Sequence, residues 1–417
     1  MNGGNTRLLA AERRRWLDQG PLARLLGVLD TGGEEARVVG GAVRNTLLQL
    51  PVDEIDVATT AVSDEVVRRA AGAGFHPVPT GIEHGTVTVV IDGKPFEVTT
   101  LREDIETFGR HAKVRFGRDW KKDAERRDFT INALTLARDG RVIDFVGGLA
   151  DIEARRVGFI GDAAARIRED YLRVLRFFRF HAAYGEGAPD AAGLLACIRA
   201  RNELSALSRE RVRAELLKLL AAKHAVPTAA VMAETGILGG VLGGVPLLAS
   251  FANMMKAEQA LGFDADPIRR LAALAVLVVE DAERLRERLR LANAEFRRLE
   301  SMGDRWWRIS PGGGEVAART LLYKLGPENY RDRALLAFSR SPAKANEKVW
   351  HEWIRLPARW TPPKFPLVAK DFLDRGIGKG PALGAALARA EAAWIESGFP
   401  IEAARIKEIA DAAAGKN

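Results

Sequence analysis

The stretch from Gly40-Gly41-Ala42-Val43-Arg44 to Glu54-Ile55-Asp56 constrains this chain more than any other. Ala36-Arg37-Val38-Val39 reads as a strand running into the two glycines. Ala42 to Leu48 reads as a short helix stopped by Pro51, and Glu54 to Ala58 as the next strand. Glycines between a strand and a helix let backbone N–H groups approach an anion closely, at the positive end of the helix dipole. Residues two apart on a strand point to one face, so Glu54 and Asp56 present their carboxylates side by side. Such a pair repels unless a divalent cation sits between its members. A solvated surface hairpin can also carry an isolated E-x-D. With the glycines and Arg44 beside it, the pattern points to a metal ion and a triphosphate.

A chain of 417 residues is too long for one ordinary core, and two to four domains are expected. No apolar run approaches the length of a bilayer span, and Met1 to Gly20 has no signal-peptide core. A single cysteine, Cys197, excludes an internal disulfide or a multi-cysteine metal site, so the expected compartment is cytoplasmic. The net charge of +8 favours polyanionic partners, and its arginines lie on predicted helices rather than in a tail. That balance favours nucleic acid over a membrane surface.

The first 150 residues mix helices and strands. Leu8 to Trp16 and Leu22 to Leu29 read as amphipathic helices, and Ser63 or Asp64 caps another through Ala71. Gly85 to Asp92 and Pro95 to Thr100 alternate about an Asp92-Gly93 turn, and Leu134 to Phe145 about Asp139-Gly140. Glu103 to Lys122 lacks periodicity and reads as a loop. Asp123 then caps a helix containing Arg126-Arg127-Asp128-Phe129-Thr130-Ile131-Asn132. From Asp151 onward the spacing is helical almost throughout, with breaks at 239–244, 311–314 and 361–366.

Nucleotidyl transfer needs parts of this kind. A divalent cation lowers the pKa of the attacking hydroxyl and neutralises the leaving pyrophosphate. Most of the remaining work is positioning and charge stabilisation. Arg44 lies within reach of phosphates held at Gly41. Glu97, in Phe96-Glu97-Val98-Thr99-Thr100, offers a third carboxylate or a general base, or is an exposed strand acid. Arg127 can clamp a phosphate, and Asp128 can bind a sugar hydroxyl or orient an arginine. Asn132, four residues on, shares the face of Asp128 on a helix. An ordinary capped helix would carry the same residues.

The segment Glu169-Asp170-Tyr171-Leu172-Arg173-Val174-Leu175-Arg176-Phe177-Phe178-Arg179-Phe180 is more unusual. At about 100° per residue, Glu169, Asp170, Arg173 and Arg176 fall within roughly a third of one helix circumference, with Arg179 further round. The interleaved aromatics mark a packed helix whose polar groups need partners. A nucleobase supplies them: cytosine and adenine both set an exocyclic amine beside an unprotonated ring nitrogen. A carboxylate accepts from that amine and an arginine donates to that nitrogen. Uracil and guanine would leave both protein groups unpaired. An Asp170–Arg173 pair thus accepts C and A and rejects U and G.

Taken in order over Val38 to Leu220, these segments resemble the class II CCA-adding tRNA nucleotidyltransferases and bacterial poly(A) polymerases, of the polymerase-beta-like nucleotidyltransferase superfamily. The matching segments are Gly40–Arg44, Glu54–Thr59, Glu97–Arg102, Arg126–Leu134, Asp144–Gly148, Glu169–Arg173 and Leu207–Val212. The resemblance implies an α+β fold: a nucleotidyltransferase head with a small mixed sheet (1–150), then an elongated all-helical neck (151–220), body (221–330) and tail (331–417). It also implies ATP and CTP as substrates, Mg²⁺ as cofactor and the tRNA 3′ end as acceptor. Glu54 and Asp56 would hold the metal. Gly40, Gly41, Arg44, Arg127, Asp128, Glu169, Asp170, Arg173, Arg176 and Arg179 would bind the nucleotide, with Glu97 beside the catalytic acids.

Two positions depart from the family pattern, which usually has Asp where this chain has Asn45 and Glu54. Glutamate still ligates Mg²⁺ but reaches further, and Asn45 removes a charge near the triphosphate. Phe75 to Thr86 lacks the basic, histidine-containing run of the poly(A) polymerases and resembles the CCA-adding form. Poly(A) synthesis and partial CC or A addition stay open, as does a non-catalytic RNA-binding protein on the same scaffold. An arginine tract, Arg284 to Arg308, beside Trp306 and Trp307 reads either as a path for tRNA phosphates or as a solvated helix face.

Overall fold

The computed structural model describes residues 4–108, 111–342 and 347–415. The chain divides into two compact units, Met1–Val241 and Leu242–Asn417.

Ten strands lie in the first unit: β1 (Asn5–Leu8), β2 (Ala36–Val39), β3 (Asp56–Thr59), β4 (His76–Gly81), β5 (Thr86–Ile91), β6 (Lys94–Thr100), β7 (Arg102–Phe108), β8 (His111–Phe116), β9 (Thr135–Ala137) and β10 (Arg141–Asp144). Eight form one mixed sheet in the order β1-β10-β9-β2-β3-β6-β5-β4. Its β3–β6 pair is parallel and the other pairs are antiparallel. The β5–β6 turn is the tight kind expected: Asp92 and Gly93 both have positive φ, 50° and 75°, matching the twist of the flanking strands. On one sheet face Val38, Val57, Val87, Val89, Val98, Leu136 and Val142 are fully buried or nearly so. The helices Gly20–Leu29 and Ser63–Gly72 cover that side with Leu25, Leu26, Leu29, Val66 and Ala70. The register places Arg37, Val39, Asp56, Ala58, Glu97 and Thr99 together on the opposite face. There Val39, Ala58, Leu101 and Trp120 form a small cluster beside the acids.

Four local expectations need correction. Residues 5–8 form an edge strand on β10, and the expected Leu8–Trp16 helix shrinks to two short turns, Ala11–Arg14 and Arg15–Asp18. An exposed polar strand carries no apolar alternation, and only its tertiary partner fixes it. The expected Glu103–Lys122 loop is mostly the β7–β8 hairpin, held by backbone pairing outside the main sheet. The helix after it spans Trp120–Glu125 and is capped by Asp119, whose carboxylate accepts from the Lys121 and Lys122 N–H groups. Asp123 is inside that helix, and 126–132 is a turn followed by the 3₁₀ segment Thr130–Asn132. Finally, Glu54 precedes β3 rather than belonging to it.

Among the described residues the second unit contains no strand. Its longest helix, Gly314–Arg340, kinks at Gly326 (φ 74°), directly before Pro327. Part of its interior is ionic. Glu258 and Asp332 are each 1% exposed. Arg269 donates to both, at 2.9 Å each, and Arg270 donates to Glu258 at 2.7 Å. Arg298 bonds Asp332 and Asp266, each at 2.8 Å. Removing one partner from a buried ion pair leaves an uncompensated charge, and here Glu258 and Asp266 remain to soften the loss. Asp332→Ala is therefore expected to cost about 3 kcal/mol. Urea unfolding followed by tryptophan fluorescence checks this; a loss below about 1 kcal/mol would mean that the network stabilises no more than surface pairs do.

The arginine tract is not one solvent-facing stripe. Arg298 turns into this network, Arg284 pairs with Asp281, and Arg286 stacks on Phe296 at 4.5 Å. Trp307 stays 56% exposed beside Arg305 and Arg308. Among the described residues, no helix is long and apolar enough to cross a membrane.

Candidate active site

At the end of β2 the chain turns through Gly40, whose φ of 69° and ψ of −126° suit a residue without a Cβ, and enters the helix Gly41–Leu48. A Cβ on Gly40 would lie 3.4 Å from Arg127 Nη1, and one on Gly41 3.5 Å from Arg44 Nη2. The two guanidiniums therefore close over the two glycines at a helix N-terminus, an arrangement suited to an anion. Val39 pairs with Asp56 across β2–β3, and Asp56 pairs with Glu97 across β3–β6. The acid pair thus stands one residue from the glycine turn.

A cleft of about 440 Å³ joins these groups to the later motif. Gly40, Gly41, Arg44, Asp56, Arg127 and Asp128 line it on one side. Asp170, Arg173, Arg176, Phe180 and Arg211 line it on the other. A second recess shares Asp56, Arg126 and Arg127 and adds Glu97 and Asp123. Asp56 is open to solvent as a residue, but the protein around its carboxyl displaces enough water to hold its pKa above the ordinary range, with the charges of Glu97 and Glu54 adding to the shift and Arg127 opposing it. Glu54 itself is exposed and lines neither recess.

The segment 169–180 is not the continuous helix its spacing suggests. Glu169 ends the helix Ala163–Glu169, and Asp170 is extended (φ −155°, ψ 106°) before the helix Leu172–Tyr184 begins. The Asp170 carboxylate accepts from the Leu172 N–H at 3.1 Å, a local bond that competes with helix continuation. Asp170 and Arg173 are not paired with each other. Asp170 pairs with Arg211 at 2.5 Å, while Arg173 donates to Glu169 and to the Arg166 carbonyl. Both nonetheless face the same cleft. Arg176 is fixed on Asp128 (Nη2 at 2.6 Å), so Asp128 orients an arginine, as one of its two readings had it. Burial works against the Asp128 anion, but Arg176, Asn132 and the Phe129 N–H bring its pKa below the usual value. Arg179 pairs with Glu215 at 2.6 Å and does not line the cleft.

Phe129, on the Arg126–Asn132 segment, packs on Phe159, Phe177 and Phe180 with ring centroids 4.8, 6.4 and 5.2 Å away. Sequence reasoning missed Tyr184, Arg211, Glu215 and Asp123. Tyr184 follows Arg176 and Phe180 at steps of four, a helical signal that could have exposed it. Arg211 lies inside the Leu207–Val212 segment, where no pattern sets it apart, and Asp123 reads in the sequence as a helix cap.

Two family models match the chain: the poly A polymerase head domain over residues 36–158, and the probable RNA and SrmB-binding site of polymerase A over 194–251. The mitochondrial CCA tRNA nucleotidyltransferase 1 of Mus musculus is 34% identical over 379 residues, covering 88% of this chain and 84% of its own. The chain belongs to the CCA tRNA nucleotidyltransferase family. Among its other relatives, the CCA-adding enzyme of Limosilactobacillus fermentum is 31% identical, covering 88% of this chain and 90% of its own. The structure of the Bacillus stearothermophilus CCA-adding enzyme in complex with CTP superposes with a TM-score of 0.73 at 27% identity, over 93% and 94% of the two chains. The polymerase-type head with its mixed sheet, followed by a mostly helical remainder, is thus the fold of CCA tRNA nucleotidyltransferases.

Proposed function

We infer that this chain adds C, C and A, from CTP and ATP, to the 3′ end of tRNA and releases pyrophosphate, using no nucleic-acid template. The observation that carries this reading is the single cleft in which the glycine turn, Asp56 and the Asp170/Arg173 edge converge. Relatives named for this reaction and the CTP complex of a similar enzyme support it. In functional terms 1–150 is the catalytic head, 151–220 the base-selecting neck, and 221–330 and 331–417 the body and tail that contact tRNA. The expected compartment is the cytoplasm, in keeping with a buried, unbridged Cys197.

The residues fit a Mg²⁺ ion. Among the described residues no group of three His, Cys, Asp or Glu has the spacing to hold a metal alone. Mg²⁺ is ordinarily held by one or two carboxylates together with substrate phosphates. Glu54 and Asp56, with Glu97 adjacent to Asp56 in register as a third carboxylate, are such a set. When bound, the metal would activate the tRNA hydroxyl and neutralise the departing pyrophosphate. Arg44 and Arg127 bind the phosphates over Gly40 and Gly41. Asp170 accepts from the exocyclic amine of C or A, and Arg173 donates to the neighbouring ring nitrogen.

The test uses tRNA lacking its 3′ terminus and single labelled nucleotides with Mg²⁺. Two C residues and then one A are expected, with addition stopping there and a chelator abolishing it. Long A tails on generic RNA would replace the reading with poly(A) synthesis. Arrest after CC, or addition of A alone, would make the enzyme a partial one.

A further inference from the structure

Six arginines line the cleft: Arg44, Arg126, Arg127, Arg173, Arg176 and Arg211. Five have a carboxylate partner. Asp123 serves Arg126 and Arg127, Glu169 serves Arg173, Asp128 serves Arg176, and Asp170 serves Arg211. Arg44, 7% exposed, makes no ion pair among the described residues. Its acceptors are all neutral. Asn45 Oδ1 takes Nε at 3.2 Å and Nη2 at 2.9 Å, Tyr184 Oη takes Nη2 at 2.7 Å, and Asn132 Oδ1 takes Nη1 at 2.6 Å. The guanidinium carbon of Arg44 also lies over the Tyr184 ring, 3.9 Å from its centre. Each asparagine is oriented by its own amide, which donates to Pro51 O at 2.8 Å or to Asp128 Oδ1 at 3.1 Å and so turns its oxygen toward Arg44.

A buried cation whose direct acceptors are all neutral retains more of its field than one paired with a carboxylate, and Asp128 reaches Arg44 only across Asn132. We propose that Asn45 is a positioning residue that holds Arg44 in place without neutralising it, so that the incoming nucleotide's phosphates become its first counter-ion. Both contacts fall on the one amide oxygen of Asn45, and an aspartate would put a charged oxygen in the same place. The amide provides the geometry and withholds the charge.

This inference rests on the nucleotide-addition reading, and Asn45→Asp tests it. The carboxylate should raise the dissociation constants of CTP and ATP about tenfold, by the same factor for both. Inhibition by pyrophosphate should weaken in parallel, because all three ligands share the phosphates, and the preference for CTP over UTP should not move. Asn45→Ala, which removes the acceptor and adds no charge, should change affinity less than about threefold. Equal weakening by both variants, or an Asn45→Asp chain binding CTP as the unaltered chain does, would overturn the proposal. If circular dichroism shows Asn45→Asp unfolded, Tyr184→Glu brings a carboxylate to Arg44 from the other side, with no acid displaced against Asp128, and should give the same equal weakening. A wild-type chain that adds no nucleotide to tRNA defeats the functional reading instead, so the two failures are distinct.

Discussion

Asp56→Asn is expected to lower nucleotide addition by about a thousandfold or more, since it removes the charge on which both metal binding and charge stabilisation converge. The same substitution should leave the unfolding midpoint unchanged or slightly higher. Folding raises the Asp56 pKa through desolvation of its carboxyl and through Glu97 and Glu54. A carboxyl whose folded pKa is raised favours the unfolded state at pH values above it, so a neutral amide relieves that penalty at neutral pH. Activity lost together with stability retained is the signature. Incorporation of labelled CMP into truncated tRNA, read beside a thermal melt, checks both. Retained turnover would remove Asp56 from the chemistry, and a collapsed melt would make it structural.

Arg173→Ala should relax the choice of base. A site built to hydrogen-bond a particular edge rejects analogues strongly because its buried groups are left unpaired, and removing one of two such groups should raise UTP and GTP use relative to CTP by about a hundredfold. Triphosphate affinity should change only a few-fold, because Arg44 and Arg127 stay in place. The local fold should survive, since Glu169 keeps its bonds to Arg166 at 3.0 and 3.1 Å. Competition between all four nucleotides in one reaction measures the effect, and a uniform loss for all four would rule out the base-reading role.

Much of the head was legible because its turns demand particular residues. Gly40 with positive φ, Asp92-Gly93 and Asp139-Gly140 mark positions where few alternatives exist, and the strands beside them were placed within a residue or two. Strands without that punctuation were missed: β1 is exposed and polar, and β7–β8 is charged and lies off the main sheet. The interruption at Asp170 was hidden for another reason. Periodicity through 169–180 is unbroken, and only the carboxylate's bond to the Leu172 N–H ends one helix and starts the next. Most of the residue types that line the cleft were readable, but Glu54, Glu97, Glu169 and Arg179 do not line it, and the partners of the others were not readable. That Arg173 rests on Glu169, Asp170 on Arg211 and Arg179 on Glu215 depends on how the 209–221 helix packs beside 172–184, which no local pattern encodes.

The phenylalanines packed around Phe129 carry a consequence for accuracy. They join the loop bearing Arg127 to the helix bearing Arg173, so in the proposed binding mode the two ends of a nucleotide would be gripped by one stiff frame. A base that sits badly at one end cannot be accommodated without dragging its phosphates off line at the other.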